Sequence, residues 1–374
     1  MSAGRRSATA LAAFCLGLGF AAVSAAEVTK SLAPLGITGP YTLRYPQGHL
    51  SDPIPFQLVR GVHPVVDVTI NGTDHLRLLV DSGATTLTLP PSLGSPFVRS
   101  LCFGNGACFD NIVAVLRQSP YTRDTPGAIN GLIGFNLLAT MPVTLDYAKR
   151  QLVFGRAAPD DAIRVPIAIP AKDQRPFGAA TIGGRKIDRI LFDTGASYVR
   201  LKPDVIGRLG DAAVPAGSEV AFSISDEEKT RLFAVSLMCV GAKVCVDGET
   251  AQRGSWQAIG ASFWRHFRVT IDAQAGVFAL APYAAPPIFI NARERWGFQI
   301  ALDDAARIVQ VDAGSVAAAA GISTSDTLLA VNGQDIAALG YLGAHAVLEA
   351  DDRTEVTLDL RRGSKLRTVV LTVN

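Results

Sequence analysis

The sequence predicts a mainly β chain in three parts: two β-lobes related by a pseudo-twofold axis, then a small α+β domain. Three observations predict it. The chain repeats itself through its first three quarters. Both copies show alternating apolar residues, β-branched runs and Gly-containing two-residue turns, the pattern of hairpins. After the Pro-rich stretch Ala281-Pro282-Tyr283-Ala284-Ala285-Pro286-Pro287 the pattern changes, which marks a linker to a third unit. The expected divisions are a signal segment at 1–26, an N-terminal lobe at 27–156, a C-terminal lobe at 157–285 and the last domain at 286–374.

The first segment reads as a secretory signal. Arg5 and Arg6 precede a small, apolar run at 8–23, and Val23-Ser24-Ala25 or Ser24-Ala25-Ala26 offers small residues for cleavage. No later stretch approaches the roughly 18 uncharged residues of a membrane span, so no stable membrane insertion is expected after cleavage. Of the 374 residues, 48% are hydrophobic and 18% charged, below the usual charged share of about 25%, which excludes a disordered polyelectrolyte. Lys plus Arg is 35 and Asp plus Glu is 33; without Arg5 and Arg6 the charges balance, so no nucleic-acid partner is expected. A periplasmic or secreted location follows from the signal.

Outside the signal lie four cysteines, an even number suited to disulfides in an oxidising compartment. Cys102 and Cys108 are six apart, as are Cys239 and Cys245, a spacing that fits two bridges across hairpin ends. The sequence leaves the other two pairings open. A four-thiolate zinc site wants tighter spacing, and His49, His63, His75, His266 and His345 form no HExxH pattern. No metal and no cofactor are expected, and the absence of a GxSxG elbow removes a serine hydrolase.

The repeat carries the chemistry. Asn71-Gly72 followed by Leu78-Leu79-Val80-Asp81-Ser82-Gly83-Ala84 matches Gly183-Gly184 followed by Ile190-Leu191-Phe192-Asp193-Thr194-Gly195-Ala196, with turn and acid both displaced by 112. Further on, Leu132-Ile133-Gly134 matches Ala258-Ile259-Gly260 at an offset of 126, so the second copy has gained 14 residues, placed at the polar run 225–231. Each apolar strand runs straight into an acid, and a buried carboxylate needs compensation. Ser82 or Thr194 offers a hydroxyl, and Gly83 or Gly195 lets backbone N–H groups approach. If the lobes meet on a twofold, Asp81 and Asp193 face each other and share one proton, since like charges about 3 Å apart cannot both ionise. Such a pair activates water without a covalent intermediate. The plainer account is that Asp, Ser, Thr and Gly simply build turns.

On these motifs the chain resembles aspartic proteases of the retropepsin-like kind, with two lobes fused as in pepsins, over roughly residues 55–285. The resemblance implies a bilobal aspartic endopeptidase acting on a polypeptide substrate, with Asp81 and Asp193 catalytic and Ser82, Gly83, Thr194 and Gly195 supporting the dyad. It departs from pepsins in its shorter lobes and in having no clear counterpart of their flap tyrosine. The substrate-clamping flaps are expected at the hairpins around Gly104-Asn105-Gly106 and Gly241-Ala242-Lys243, stiffened by disulfides. The opposing class is an inactive protease fold that only binds peptides. Residues 27 to about 60 have little pattern and read as a mask or an extra strand.

The last unit, with Arg295-Trp296-Gly297-Phe298, Ile308-Val309-Gln310-Val311, Asp326 to Val331, Asn332-Gly333 and a final apolar strand at 368–373, resembles a PDZ domain in the permuted form found beside bacterial proteases. The resemblance implies that Arg295, Trp296, Gly297 and Phe298 present N–H groups to the carboxylate of a C-terminal peptide ligand. It places the groove helix at about 341–350, with the domain recruiting substrate or regulating the cleft.

Overall fold

The computed structural model describes residues 25–31, 40–123, 125, 127–222, 227–241, 244–284, 289–302, 306–350 and 352–373. Most of the expected signal, 1–24, and the prolines at 286 and 287 lie outside them. The chain is mainly β.

In the first unit β1 (Ala25–Ser31) pairs with β2 (Pro40–Pro46), which pairs with β8 at the sheet edge; the patternless stretch is thus extra strand. Strands β3 (Ile54–Val59) and β4 (His63–Ile70) form a hairpin. Strand β4 continues into β5 (Asp74–Val80) through Asn71-Gly72, whose φ values of 53° and 82° are the left-handed pair a two-residue hairpin turn requires. After β6 (Thr88–Leu89), β7 (Phe97–Phe103) and β8 (Cys108–Val113) form a hairpin in which Cys102 and Cys108 lie opposite each other, disulfide-bonded. Strand β9 (Val115–Leu116) and β10 (Gly131–Ile133) follow, and β10 pairs in parallel with β5, setting Ile133 beside Val80. Helix α1 (Phe135–Leu138) leads to β11 (Val143–Asp146) and β12 (Gln151–Phe154).

The second unit repeats this plan. Strand β13 (Ile163–Pro166) precedes the hairpin of β14 (Phe177–Ile182) and β15 (Arg185–Phe192), turned by Gly183 and Gly184 with φ of 53° and 76°. Strand β16 (Val199–Leu201) is followed by α2 (Pro203–Leu209), a helix opened by proline at its first turn. The long hairpin β17 (Ala213–Phe222) and β18 (Glu227–Val235) comes next; of the expected insertion at 225–231, residues 227–231 belong to β18, and 225 and 226 lie outside the described residues. Strands β19 (Met238–Val240) and β20 (Val244–Val246) carry the second disulfide, Cys239–Cys245. Then come β21 (Glu249–Arg253), β22 (Ala258–Ile259), α3 (Ala261–Trp264), β23 (Phe267–Asp272) and β24 (Val277–Pro282), with β22 parallel to β15.

A seam joins the two. Strands β11 and β23 pair antiparallel with Val143 opposite Ile271, Thr144 opposite Thr270 and Leu145 opposite Val269. Thr270 is the repeat mate of Thr144 at offset 126, and their hydroxyls hydrogen-bond at 2.8 Å, so the two units meet at matching positions of the repeat. One apolar core, with Phe103, Phe109 and Phe154 on one side and Phe192, Trp264 and Phe278 on the other, runs through both units.

The C-terminal unit comprises α4 (Ala292–Trp296), β25 (Phe298–Ile300), β26 (Ile308–Val311), α5 (Val316–Ala319), β27 (Asp326–Val331), β28 (Gln334–Asp335), α6 (Ile336–Leu348), β29 (Glu355–Arg362) and β30 (Lys365–Thr372). It is no hanging bead: its core also takes in Val59, Tyr121, Ile129, Val220 and Phe222 from the other two units. Helix α6 breaks at Gly340, where φ is 64°. There the first unit supplies the missing partners, Gly127 O accepting from Leu342 N at 2.7 Å and the Gln57 side-chain amide donating to Leu342 O at 2.8 Å. The part of the helix after the break is the one expected at 341–350, and its first turn, before Gly340, carried no clear periodic signal.

Candidate functional site

Strands β5 and β15 each end in an acid because the parallel neighbour stops there too. Asp81 N donates to Ile133 O and Asp193 N to Ile259 O, each at 3.0 Å. The chain then turns, and the turn grips the carboxylate: Gly83 N and Ala84 N donate to Asp81 Oδ1 at 2.8 and 3.0 Å, while Gly195 N and Ala196 N donate to Asp193 Oδ1 at 2.9 and 3.0 Å. Both glycines are steric necessities. A Cβ at Gly83 would lie 2.2 Å from Asp193 Cγ, and one at Gly195 would lie 2.3 Å from Asp81 Cγ.

Ser82 and Thr194 bind the two turns to each other. Ser82 N donates to Thr194 Oγ1 and Thr194 N to Ser82 Oγ, both at 3.0 Å; each hydroxyl then donates to the opposite strand end, Ser82 to Phe192 O and Thr194 to Val80 O, both at 2.8 Å. This reciprocal exchange is fully buried, where an unmade hydrogen bond costs about 1–3 kcal/mol. It sets the acids face to face, within hydrogen-bonding reach of one another. Burial first, then the charge of Asp193, raises the Asp81 pKa well above the ordinary carboxyl range. Burial also raises that of Asp193, opposed by the hydrogen bond from Asp81. Both carboxyls are thus held toward the protonated form, and the pair titrates as a unit.

A cleft of about 470 Å³ opens above the acids. The structure brings Asp81, Asp193, Gly83 and Gly195 to its floor. Its walls include Tyr121, Arg200, Ala221, Phe222 and Trp256, none of which stood out in the sequence. Tyr121 lies on a loop with no repeat mate, and its hydroxyl donates to Phe222 O at 3.2 Å. Arg200 could have been found, because the repeat pairs it with Thr88 at offset 112.

The four cysteines do not come to the cleft, and the expected flaps are corrected. Hairpin β7–β8 lies flat in the first sheet against β4 and β2, with Gly106 packed toward Pro46. Hairpin β19–β20 pairs with β14, and Ala242 and Lys243 at its turn lie outside the described residues. The cross-strand disulfides had suggested stiff, projecting hairpins, but β7 and β8 pair with β4 and β2 within their sheet, and β19 pairs with β14. Residues of β17–β18 line the cleft instead, and none of the described residues in 25–60 does.

That hairpin is bracketed by the C-terminal unit. Gln299 accepts from Val220 N at 3.3 Å and donates to Val220 O at 2.7 Å; Arg293 donates to Ser218 O at 3.0 Å, as does Gln310. Between these, fully buried Glu219 meets Arg60 of the first unit at 3.1 Å, Arg293 at 3.5 Å and the Gln252 amide at 2.9 Å. Burial drives the Glu219 pKa up against the pull of the arginines. Burial likewise opposes the Arg60 charge, but Glu219 together with Tyr341, Tyr198 and Tyr121 outweighs it and the guanidinium stays protonated.

The family profile of the PDZ domain matches residues 307–362. Residues 307–362 are a PDZ domain. No curated protein matches the chain. In this PDZ unit a cavity of about 210 Å³ lies between β25 and α6, with Pro120, Arg123 and Ile129 of the first unit on its other side. Arg295 and Trp296 end helix α4, with Trp296 buried and its indole donating to Leu348 O at 2.9 Å. Gly297 caps the helix at φ 80°, and Phe298 opens β25 in the core. The N–H groups of Arg295 and Gly297 donate to Asn291 O at 3.0 Å and Arg293 O at 2.7 Å, so at these two positions the N–H is engaged inside the chain. Among the described residues no cluster of His, Cys, Asp or Glu could hold a metal, and no helix is long and apolar enough to cross a membrane.

Proposed function

We propose that the chain is an aspartic endopeptidase of two fused retropepsin-like lobes, periplasmic or secreted, whose dyad is Asp81 and Asp193. The observation that carries this reading is the reciprocal Ser82–Thr194 exchange, which presses two proton-sharing acids together under an open cleft. Water between the carboxyls gives a proton to the ionised member while the protonated member hydrogen-bonds the scissile carbonyl. The water oxygen then bonds the carbonyl carbon, the C–N bond breaks, and a proton passes to the departing amine nitrogen. The two acids exchange roles in the cycle and no covalent enzyme intermediate forms.

In this reading β17–β18 is the flap, and the PDZ unit regulates the cleft by holding that hairpin from outside. The disulfides suit an oxidising compartment. The test is cleavage of a mixed peptide library from about pH 3 to pH 8. Wild type cleaves, and Asp81→Asn and Asp193→Asn each lose about a thousandfold or more. Turnover surviving either substitution sinks the reading. The PDZ domain, a protein-interaction module, favours one alternative, a peptide-binding protein; saturable binding without turnover at any pH would establish it.

A further inference from the structure

The repeat supplies an internal control for the cleft walls. Thr88 and Arg200 each stand seven residues after their acid, and each pairs with the strand before the conserved-offset glycine, Thr88 with Leu132 and Arg200 with Ala258. In the first unit the position is a buried neutral hydroxyl whose contact is local, to Thr86 O at 3.4 Å. In the second it is a guanidinium on the wall of the cavity that holds both acids.

The surroundings of Arg200 fix it without neutralising it. Its guanidinium carbon lies 4.8 Å from the Trp256 ring centre, and Nη2 donates to Gln252 Oε1 at 2.8 Å. Its aliphatic part fills the space a Cβ at Gly254 would need, 2.6 Å from Arg200 Cδ. Gln252 turns its amide to Glu219, so that carboxylate is hydrogen-bonded to Arg200 only through a neutral group, while the Arg200 charge pulls through space on both Glu219 and Asp193. Among the described residues no carboxylate lies within ion-pair distance of Arg200, and its Nε is buried with no acceptor. Arg175, the other cation on the wall, has Asp173 at 2.5 Å. Glu228, exposed on β18, lines the same cleft without bonding Arg200. A half-buried guanidinium on a cleft wall with no carboxylate in ion-pair distance is completed by a carboxylate from the ligand.

We infer that Arg200 determines specificity, selecting a peptide with an acidic side chain on one side of the bond to be cut. This rests on the protease reading. The preference is one-sided because the matching place in the first unit is Thr88, and the residues lining that half include Leu79, Leu132 and Tyr121.

The experiment uses the full chain and peptide pairs differing only in Glu against Gln at each of three positions on either side of the cleaved bond. At one position wild type favours Glu by roughly ten- to a hundredfold in kcat/KM, and the Glu/Gln ratio falls to near one in Arg200→Gln, whatever its absolute rate. Arg200→Glu turns the preference toward Lys at that position. The same pairs titrated onto Asp81→Asn give the ratio as binding alone. Cleavage with no charge preference at any position, or a ratio unchanged in Arg200→Gln, overturns the inference and leaves the protease reading standing. Absence of cleavage with a Glu preference in binding that needs Arg200 overturns the protease reading and keeps the subsite. Thermal unfolding of each variant separates a lost contact from a lost fold.

Discussion

The two halves of the cleft hold their acids in the same way and cover them differently. Around Asp81 and Asp193 the hydrogen bonds agree to within about 0.1 Å in kind and length, and the glycine clearances agree as closely. Above them the likeness ends. The first unit's disulfide hairpin lies down in its own sheet, while the second unit's β17–β18 lines the cleft and is gripped by the C-terminal unit and by Arg60. A duplicated frame tolerates change where one copy acts alone and resists it where each copy completes the other.

Three substitutions probe that contrast. The largest effect is expected from Glu219→Ala, which leaves Arg60 and Arg293 buried without their shared carboxylate; breaking such a cluster costs about 3–5 kcal/mol. Denaturant unfolding reads the loss, and peptide turnover should fall with it, because the Phe222 end of the hairpin loses its anchor. A stability change below about 1 kcal/mol would show that the second cover is not held by this cluster. Next come Gly83→Ala and Gly195→Ala, each forcing a methyl against the opposite acid. Overpacking of this kind costs about 1–3 kcal/mol, and the two losses should be equal; one tolerated and one not would break the equivalence of the halves.

The smallest effect concerns the acids themselves. A carboxyl whose folded-state pKa is raised stabilises fully below its unfolded value of about 3.9, and that stability is lost as pH rises through the folded value. Wild type should therefore lose stability on going from acid to neutral pH, and Asp81→Asn should recover it, its melting temperature exceeding wild type increasingly above about pH 4. Asp193→Asn should recover it as well, since burial raises that carboxyl too. No recovery in either variant would mean that the buried pair is not what costs stability at neutral pH.

What the sequence made legible was local or repeated. Asn71-Gly72 and Gly183-Gly184 announce their turns because few other residues adopt left-handed φ, and the strand-into-acid motif carries its own compensation. The cysteine spacing gave the cross-strand bonds but not where the hairpins lie, since a hairpin's neighbours are set by partners such as β4 and β14 far away in sequence. The run 225–231 read as a polar insertion because the residues that hold the hairpin, Gln299 and Arg293 among them, come from another domain. Tyr121 and Gly127 were silent for the same reason: their partners, Phe222 and Leu342, are about 100 residues or more away in the chain.

The Thr144–Thr270 seam has a consequence for mass action. Strands β11 and β23 meet within one polypeptide, so the facing acids are assembled at a fixed effective concentration and not by encounter between molecules. Dilution leaves them together, where a frame built from two separate chains would come apart as its concentration fell. Rate per molecule should then be constant down to the lowest protein concentration, and heating should melt both halves in one transition.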